Sequence, residues 1–141
     1  DEILAKLNVT DNKVLIFCGS INQADKLCDN RYHSKTTDKD LNRFIDNEIK
    51  FLSCVKALNE GVNIPNLNIG VITAFDSKER NFIQRLGRHI RYRENHKARI
   101  IILCCKDTQD EVWLSKSLVN INKKNIKYYE NTTNYLQQVR F

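Results

Sequence analysis

The sequence predicts an α/β domain of three layers, in which a mainly parallel sheet lies between helices on both faces. Four short apolar runs recur along the chain, and stretches with helical periodicity separate them. The runs are rich in β-branched residues and do not alternate strictly between polar and apolar side chains, which is typical of strands buried on both faces. The repeated strand–helix order favours a doubly wound sheet with right-handed crossovers. A length of 141 residues suits one such domain with a single core.

The predicted strands are these four apolar runs and a fifth, shorter run near the C-terminus. They cover residues 13–18 (KVLIFC), 49–55 (IKFLSCV), 67–75 (LNIGVITAF), 98–105 (ARIIILCC) and 126–129 (IKYY). In an open parallel sheet, ligands bind at the carboxyl ends of the strands. We therefore expect the functional residues directly after these runs.

The segments between the strands carry apolar residues at the spacing of one helix face. The first helix has Ser20 as its N-cap, and the second follows a weak capping box formed by Thr37 and Asp40. A third helix begins after Ser77, and a fourth precedes the last strand. Their apolar faces carry Ile21, Ala24, Leu27 and Cys28; Leu41, Phe44 and Ile45; Phe82, Ile83, Leu86 and Ile90; and Val112, Leu114, Leu118 and Ile121.

The overall charge favours an anionic partner. The formal net charge is +6 and the isoelectric point is near 9.1, and nucleic acid is the first candidate for a domain this basic. The 41% of hydrophobic and 28% of charged residues are ordinary for a soluble globular protein. No apolar run approaches the ~20 residues that span a bilayer, and residues 1–4 lack the layout of a signal peptide.

The five cysteines do not form a metal-binding pattern. The sequence contains no Cys-x-x-Cys pair, and its three histidines are scattered. Four of the cysteines lie inside apolar runs, and Cys28 lies on the apolar face of the first predicted helix. Buried free thiols in a reducing compartment explain this arrangement. It predicts no metal ligands and a cytoplasmic location, or a nuclear one in a eukaryote.

Residues 84–91 (QRLGRHIR) are the most informative segment of the chain. On a helix, Gln84, Arg88 and Arg91 fall within one narrow arc, and the apolar residues of the segment gather on the opposite side. Guanidinium groups are permanently charged planar forks that match phosphate oxygens. The helix therefore presents a phosphate-binding face or, alternatively, a basic face that is only solvated.

The pattern Gln-Arg-x-Gly-Arg-x-x-Arg resembles motif VI of superfamily 2 helicases, where such arginines act as arginine fingers on ATP. Other segments of the chain resemble further parts of the same family in the family's order. They are residues 13–20 (KVLIFCGS, motif IV), 32–35 (YHSK, the Tyr-His-Gly segment) and 56–65 (KALNEGVNIP, motif V). The resemblance implies the second, C-terminal RecA-like domain of a DEAD/DEAH-like helicase or translocase, with a P-loop NTPase-like fold. Gln84 in place of a histidine is more similar to the DNA-directed repair- and restriction-type translocases than to the DEAD-box branch.

This resemblance also implies roles for individual residues. The catalytic residues are Arg88, Arg91 and Gln84, the nucleotide-binding residues are Gly61, Asn63 and Arg85, and the nucleic-acid-binding residues are Ser20, Lys35 and Lys56. Ser20 is alternatively a simple helix cap, and Lys35 alternatively a solvated surface lysine. Asn63 departs from the family's usual acidic residue, and Val55 departs from its threonine, for which Lys56 is the expected substitute.

The sequence contains neither a Gly-x-x-x-x-Gly-Lys-Ser/Thr loop nor an Asp-Glu box for Mg²⁺. The resemblance therefore implies a preceding RecA-like domain of the same polypeptide that holds ATP and Mg²⁺. We expect residues 1–12 to form a lead-in helix or tether and residues 13–141 the C-terminal RecA-like domain, inactive by itself. The expected function is ATP-dependent helicase or translocase activity on nucleic acid, DNA before RNA. Two alternatives are a non-catalytic basic RecA-like binding module and a nucleotide-using transferase, although no glycine-rich loop follows the first strand.

Overall fold

The computed structural model describes residues 13–33, 36, 39–55, 67–73, 99–104, 107–118, 124, 126–130 and 137. Within these residues, five strands and three helices follow one another along the chain. They are β1 (Val14–Phe17), α1 (Ile21–Leu27), β2 (Arg31–Tyr32), α2 (Lys39–Ile45), β3 (Phe51–Cys54), β4 (Ile69–Ile72), β5 (Arg99–Ile102) and α3 (Gln109–Ser117). The first four predicted strands and the first, second and fourth predicted helices are confirmed. The third predicted helix, after Ser77, lies outside the described residues.

The five strands form one parallel sheet in the order β2-β3-β1-β4-β5. β1 lies at the centre, with Leu15 opposite Leu52 of β3 on one side and Gly70 of β4 on the other. The chain places β2 and β3 on one side of β1 and then β4 and β5 on the other side, which is the doubly wound order. Every residue of β1 and β4 is buried, as their unbroken apolar runs predict.

Helices cover both faces of the sheet because alternate residues of each strand point to opposite sides. On one face, Leu15 and Phe17 belong to a core cluster with Phe44 of α2, against which Leu114 of α3 packs. On the other face, Val14 and Ile16 of β1 belong to a second cluster that includes Ala24 of α1. The three-layer α/β fold predicted from the sequence is confirmed.

A buried lysine ties the amino end of β1 to the end of α2. The Lys13 ammonium donates to Asn47 Oδ1 at 2.8 Å and lies 4.8 Å from the centre of the Phe44 ring. The backbone N–H of Lys13 donates to Oδ1 of the buried Asn68 at 2.9 Å. Asn47 has a φ of 62°, a left-handed conformation that asparagine tolerates better than most residues.

The predicted strand at residues 126–129 is wrong, because residues 126–130 carry no strand pairing. Tyr128 is 76% exposed, and none of the other residues of the segment is more than half-buried. Aromatic and β-branched residues favour strands mainly through packing on a half-buried surface. Without that packing, their presence in this segment does not produce a strand.

The structure adds two details that the sequence did not predict. The two-residue strand β2 is too short to have left a pattern in the sequence. Asp40 accepts a hydrogen bond from the backbone N–H of Arg31 at 3.1 Å. The predicted capping box of Asp40 with Thr37 stays a prediction, because Thr37 lies outside the described residues. No helix in the described part of the chain is long and apolar enough to cross a membrane.

Candidate functional site at the carboxyl ends of the strands

The carboxyl ends of four neighbouring strands meet at one edge of the sheet and remain bonded there. Thr73, directly after β4, donates to the Phe17 carbonyl through its backbone N–H at 3.0 Å and its hydroxyl at 2.7 Å. Similarly, Cys18 N donates to the carbonyl of the last residue of β3 at 2.9 Å, and Leu103 N donates to that of β4 at 2.9 Å. The segment 18–20 therefore leaves the sheet from a well-fixed central position.

Ser20 forms a reciprocal cap on α1 with Gln23. Ser20 has extended backbone angles, and its Oγ accepts a hydrogen bond from Gln23 N at 3.2 Å. In return, Gln23 Oε1 accepts from Gly19 N at 2.9 Å. The hydrogen bond from Gln23 N confirms the predicted N-cap. A serine cap of this kind stabilises a helix by about 1 kcal/mol. The cap uses the oxygen of the hydroxyl, which can still donate its hydrogen to an anion.

The cap opens on a shallow depression of about 550 Å³ along the outer side of α1. Six residues line it, four of them with polar side chains: Gly19, Ser20, Asn22, Gln23, Lys26 and Leu27. The side chains of Asn22 and Lys26 lie one helical turn apart and are exposed. This surface combines hydrogen-bond donors next to the end of β1 with the positive charge of Lys26 in the last turn of α1.

The cysteine beside this edge is structural. Burial raises the pKa of Cys18 to about 11, although the hydrogen bond to the Thr73 hydroxyl acts in the opposite direction. Burial also raises the pKa of Cys28. Both thiols therefore stay protonated near neutral pH and are poor nucleophiles. None of Cys18, Cys28, Cys54 and Cys104 forms a disulfide; Cys18 and Cys54 are buried as predicted, whereas Cys28 and Cys104 are half-buried, and Cys105 lies outside the described residues.

A polar cluster that sequence reasoning missed joins α1 to β2. The side chain of His33 is only 4% exposed, and its Nε2 lies 3.1 Å from Asp25 Oδ1. Arg31 Nη1 lies 3.2 Å from the same oxygen. The hydrogen bond with His33 and, to a smaller degree, the charge of Arg31 hold the pKa of Asp25 below its usual value. The only signal in the sequence is that Arg31 and His33 are two residues apart, a spacing that places them on one face of a strand.

Most of the predicted site residues are not among those that the structure describes. Ser20 is described and caps α1; Gln84, Arg85, Arg88, Arg91, Gly61, Asn63, Lys35 and Lys56 lie outside the described residues and stay predictions. Val55 is half-buried and packs against the core cluster on the α1 face. Among the described residues, no three His, Cys, Asp or Glu side chains come together as a metal site.

Residues 1–93 match the family described as the helicase conserved C-terminal domain. The match covers more than half of the chain, so the chain belongs to this family. Together with the parallel sheet, it defines the C-terminal RecA-like domain of a superfamily 2 helicase or translocase, as the sequence predicts.

One curated relative is the DNA 3'-5' translocase XPB2 of Sulfurisphaera tokodaii, 32% identical over 79 residues. The match covers 52% of this chain but only 18% of that protein, so the chain spans less than a fifth of the relative's length. Its name agrees with the DNA translocase branch predicted from Gln84.

Solved helicase structures share the fold. The helicase domain of Hef from Pyrococcus furiosus superposes with a TM-score of 0.60 at 22% identity, covering 82% of this chain and 27% of that one. Dbp5 of S. cerevisiae, bound to Gle1 and IP6, superposes with a TM-score of 0.64 at 18% identity, covering 83% of this chain and 35% of the Dbp5 chain.

Proposed function

We propose that this domain is the second RecA-like domain of an ATP-dependent DNA helicase or translocase. In this proposal it supplies arginine fingers for ATP hydrolysis and part of the nucleic-acid track. Family membership supports the helicase assignment, and the relative named as a DNA translocase favours DNA over RNA. The observation that carries the proposal is the adjacency of β3, β1 and β4 in one parallel sheet. The chain segments that contain motifs IV, V and VI leave these three strands at a single edge.

The hydrolytic part of the proposal requires a second domain. ATP and Mg²⁺ are held mainly by an N-terminal RecA-like domain of the same polypeptide, and the present domain closes over the nucleotide. Closure brings Arg88 and Arg91 to the γ-phosphate, where their charge stabilises the transition state, and Gln84 positions water or phosphate. The nucleotide contacts are Gly61, Asn63 and Arg85.

The nucleic-acid track follows three neighbouring strands. Ser20, Lys35 and Lys56 come shortly after β1, β2 and β3, whose order in the sheet is β2-β3-β1. Because neighbouring strands lie about 4.8 Å apart, these strand ends span about 10 Å. A hydroxyl and two ammonium groups over that span suit contacts to a phosphate backbone, which carry no sequence information.

A non-catalytic, basic RecA-like module that binds nucleic acid is the second candidate. It is favoured by Val55, whose half-buried side chain packs against the core cluster on the α1 face and replaces the threonine that contacts nucleic acid in the family. Asn63, which lacks the usual carboxylate charge, favours it as well. Such a module would bind DNA through the same basic surface but would not take part in ATP turnover.

The full-length protein is expected to hydrolyse ATP with Mg²⁺, and single-stranded DNA should stimulate it more than RNA of the same sequence. Because the contacts are to phosphates, the DNA concentration for half-maximal stimulation should rise steeply with salt. The 141-residue chain alone should bind DNA weakly and hydrolyse no ATP. Steady-state ATPase assays on both proteins test this. Robust hydrolysis by the isolated chain contradicts the two-domain proposal, and DNA binding without hydrolysis by the full-length protein favours the non-catalytic module.

Substitutions of Ser20 separate its cap from its proposed phosphate contact. Ser20→Asp and Ser20→Thr both preserve a capping oxygen, so thermal melts should show them close to the wild type. The added carboxylate of Ser20→Asp should repel phosphate and weaken DNA binding about fivefold or more, whereas Ser20→Thr should stay within about twofold. Fluorescence anisotropy with labelled DNA measures this difference. If Ser20→Asp binds DNA as the wild type does, Ser20 is a helix cap only.

A further inference from the structure

We propose that Asp25 and His33 position the nucleic-acid contact at Lys35 without touching the nucleic acid themselves. The inference rests on the proposed function, in which Lys35 contacts a phosphate. Two observations carry it: the way in which helices on both faces hold the edge strand β2, and the hydrogen bonds of the residue that follows this strand.

The short strand β2 is held by side chains as well as by its ladder. It has two residues, lies at one edge of the described sheet and pairs there with β3. Asp25 of α1 binds the Arg31 guanidinium at 3.2 Å from one face, and Asp40 of α2 accepts from the Arg31 backbone N–H at 3.1 Å. Asp25 therefore binds the Arg31 side chain on the α1 face, and Asp40 binds the Arg31 backbone at the open edge of the sheet, so that carboxylates from two helices hold this strand.

His33 extends these contacts one residue beyond β2. Arg31 and His33 are two residues apart and extend toward α1, where both reach the same Asp25 oxygen. The His33 side chain is 4% exposed, whereas that of Asp25 is 38% exposed. The contact therefore joins a buried ring at the end of the strand to a carboxylate on the surface of α1.

His33 is also bonded to the residue on the far side of Lys35. His33 N donates to Thr36 Oγ1 at 3.0 Å, Thr36 Oγ1 donates to the His33 carbonyl at 3.1 Å, and Thr36 N donates to the same carbonyl at 3.0 Å. Lys35 lies outside the described residues, but His33 and Thr36 on either side of residues 34–35 are thereby held to each other. Asp25 in turn holds His33 to α1, so loss of Asp25 should loosen the anchor of the segment that contains Lys35.

The test compares Asp25→Ala with Asp29→Ala in the full-length protein. Both residues are exposed, and each substitution removes one negative charge near the end of α1. General electrostatics alone predicts that either change tightens binding to single-stranded DNA. If Asp25 positions Lys35, Asp25→Ala should instead weaken binding about 3- to 10-fold, which is the size of one ordinary hydrogen bond and less than the full worth of a charge-assisted contact, because Lys35 itself is retained. For Asp25→Ala, the slope of the log binding constant against log salt concentration should become shallower by the amount that corresponds to about one phosphate contact. Asp29→Ala should bind DNA as tightly as the wild type or more tightly.

Combination with Lys35→Ala decides whether the effect passes through Lys35. We expect Asp25→Ala to cause no further loss of affinity in the Lys35→Ala background, and we expect His33→Gln, which keeps a donor, to bind DNA more tightly than His33→Leu. If Lys35→Ala weakens binding but Asp25→Ala tightens it as Asp29→Ala does, the positioning role is wrong and the proposed function stands. Additive losses also overturn the positioning role. If Lys35→Ala leaves both affinity and salt slope unchanged, the Lys35 contact of the proposed function fails, and this inference fails with it.

Discussion

Replacing Arg88 or Arg91 by alanine in the full-length protein is expected to abolish ATP turnover while ATP binding and folding are largely retained. The helix predicted for residues 84–91 would place both side chains opposite its apolar face, so we expect their loss to leave the core packing intact. In the proposed function their partner is the charge that develops on the γ-phosphate during transfer, and the loss should therefore fall on kcat and not on nucleotide affinity. Comparable arginine fingers contribute ~10³ to 10⁵ in rate. Steady-state ATPase kinetics at saturating DNA measures the effect.

Arg43→Ala is a matched control for these two substitutions. Arg43 lies on α2, its side chain is 40% exposed, and it pairs with Asp40 and Glu48 at 3.6 and 3.5 Å. Surface pairs of this kind contribute at most about 1 kcal/mol, so Arg43→Ala should retain kcat. Arg88→Lys and Arg91→Lys should not restore activity, since an ammonium cannot make the planar two-pronged contact. Near-wild-type kcat in both alanine variants would show that the helix is only a basic surface.

The sheet was predictable where burial alone determines the strand. The β1 and β4 runs are apolar at nearly every position because both of their faces are covered, and the sequence shows this directly. The segment 126–129 has the same kinds of residues but no such packing, which depends on distant parts of the chain. The strand β2, in contrast, is formed but was not predicted. Its two residues are too few to show a periodicity, and its position depends on contacts with α1, α2 and β3.

The candidate site was predictable where its chemistry is local. The Ser20 cap follows from a serine three residues before its partner Gln23, and the helicase motifs are continuous segments. The bond from Thr73 to the Phe17 carbonyl joins residues 56 positions apart, and no local pattern indicates it. The Asp25–His33 contact joins a helix to the end of a strand, so it becomes visible only when the crossover from α1 to β2 is known.

Replacing Phe44 by alanine should cause the largest loss of stability among single substitutions in the described core. Phe44 is completely buried, belongs to the core cluster shared by α2 and the sheet, and supports the Lys13 ammonium with its ring. Truncation removes this packing and leaves a cavity, which costs about 3–5 kcal/mol. Urea unfolding of the 141-residue chain, followed by circular dichroism, measures the change in the free energy of unfolding.

Two controls show whether this loss comes from core packing. Val112→Ala removes apolar atoms from a residue that is 44% exposed, and its effect should stay within about 0.5 kcal/mol. Phe44→Leu keeps much of the apolar volume but loses the aromatic face beneath Lys13, so its cost should lie between those of the two alanine variants. If Phe44→Ala costs no more than Val112→Ala, the packing of α2 against the sheet is wrong. Because α2 also holds β2 through Asp40, the position of that edge strand would then have to be revised as well.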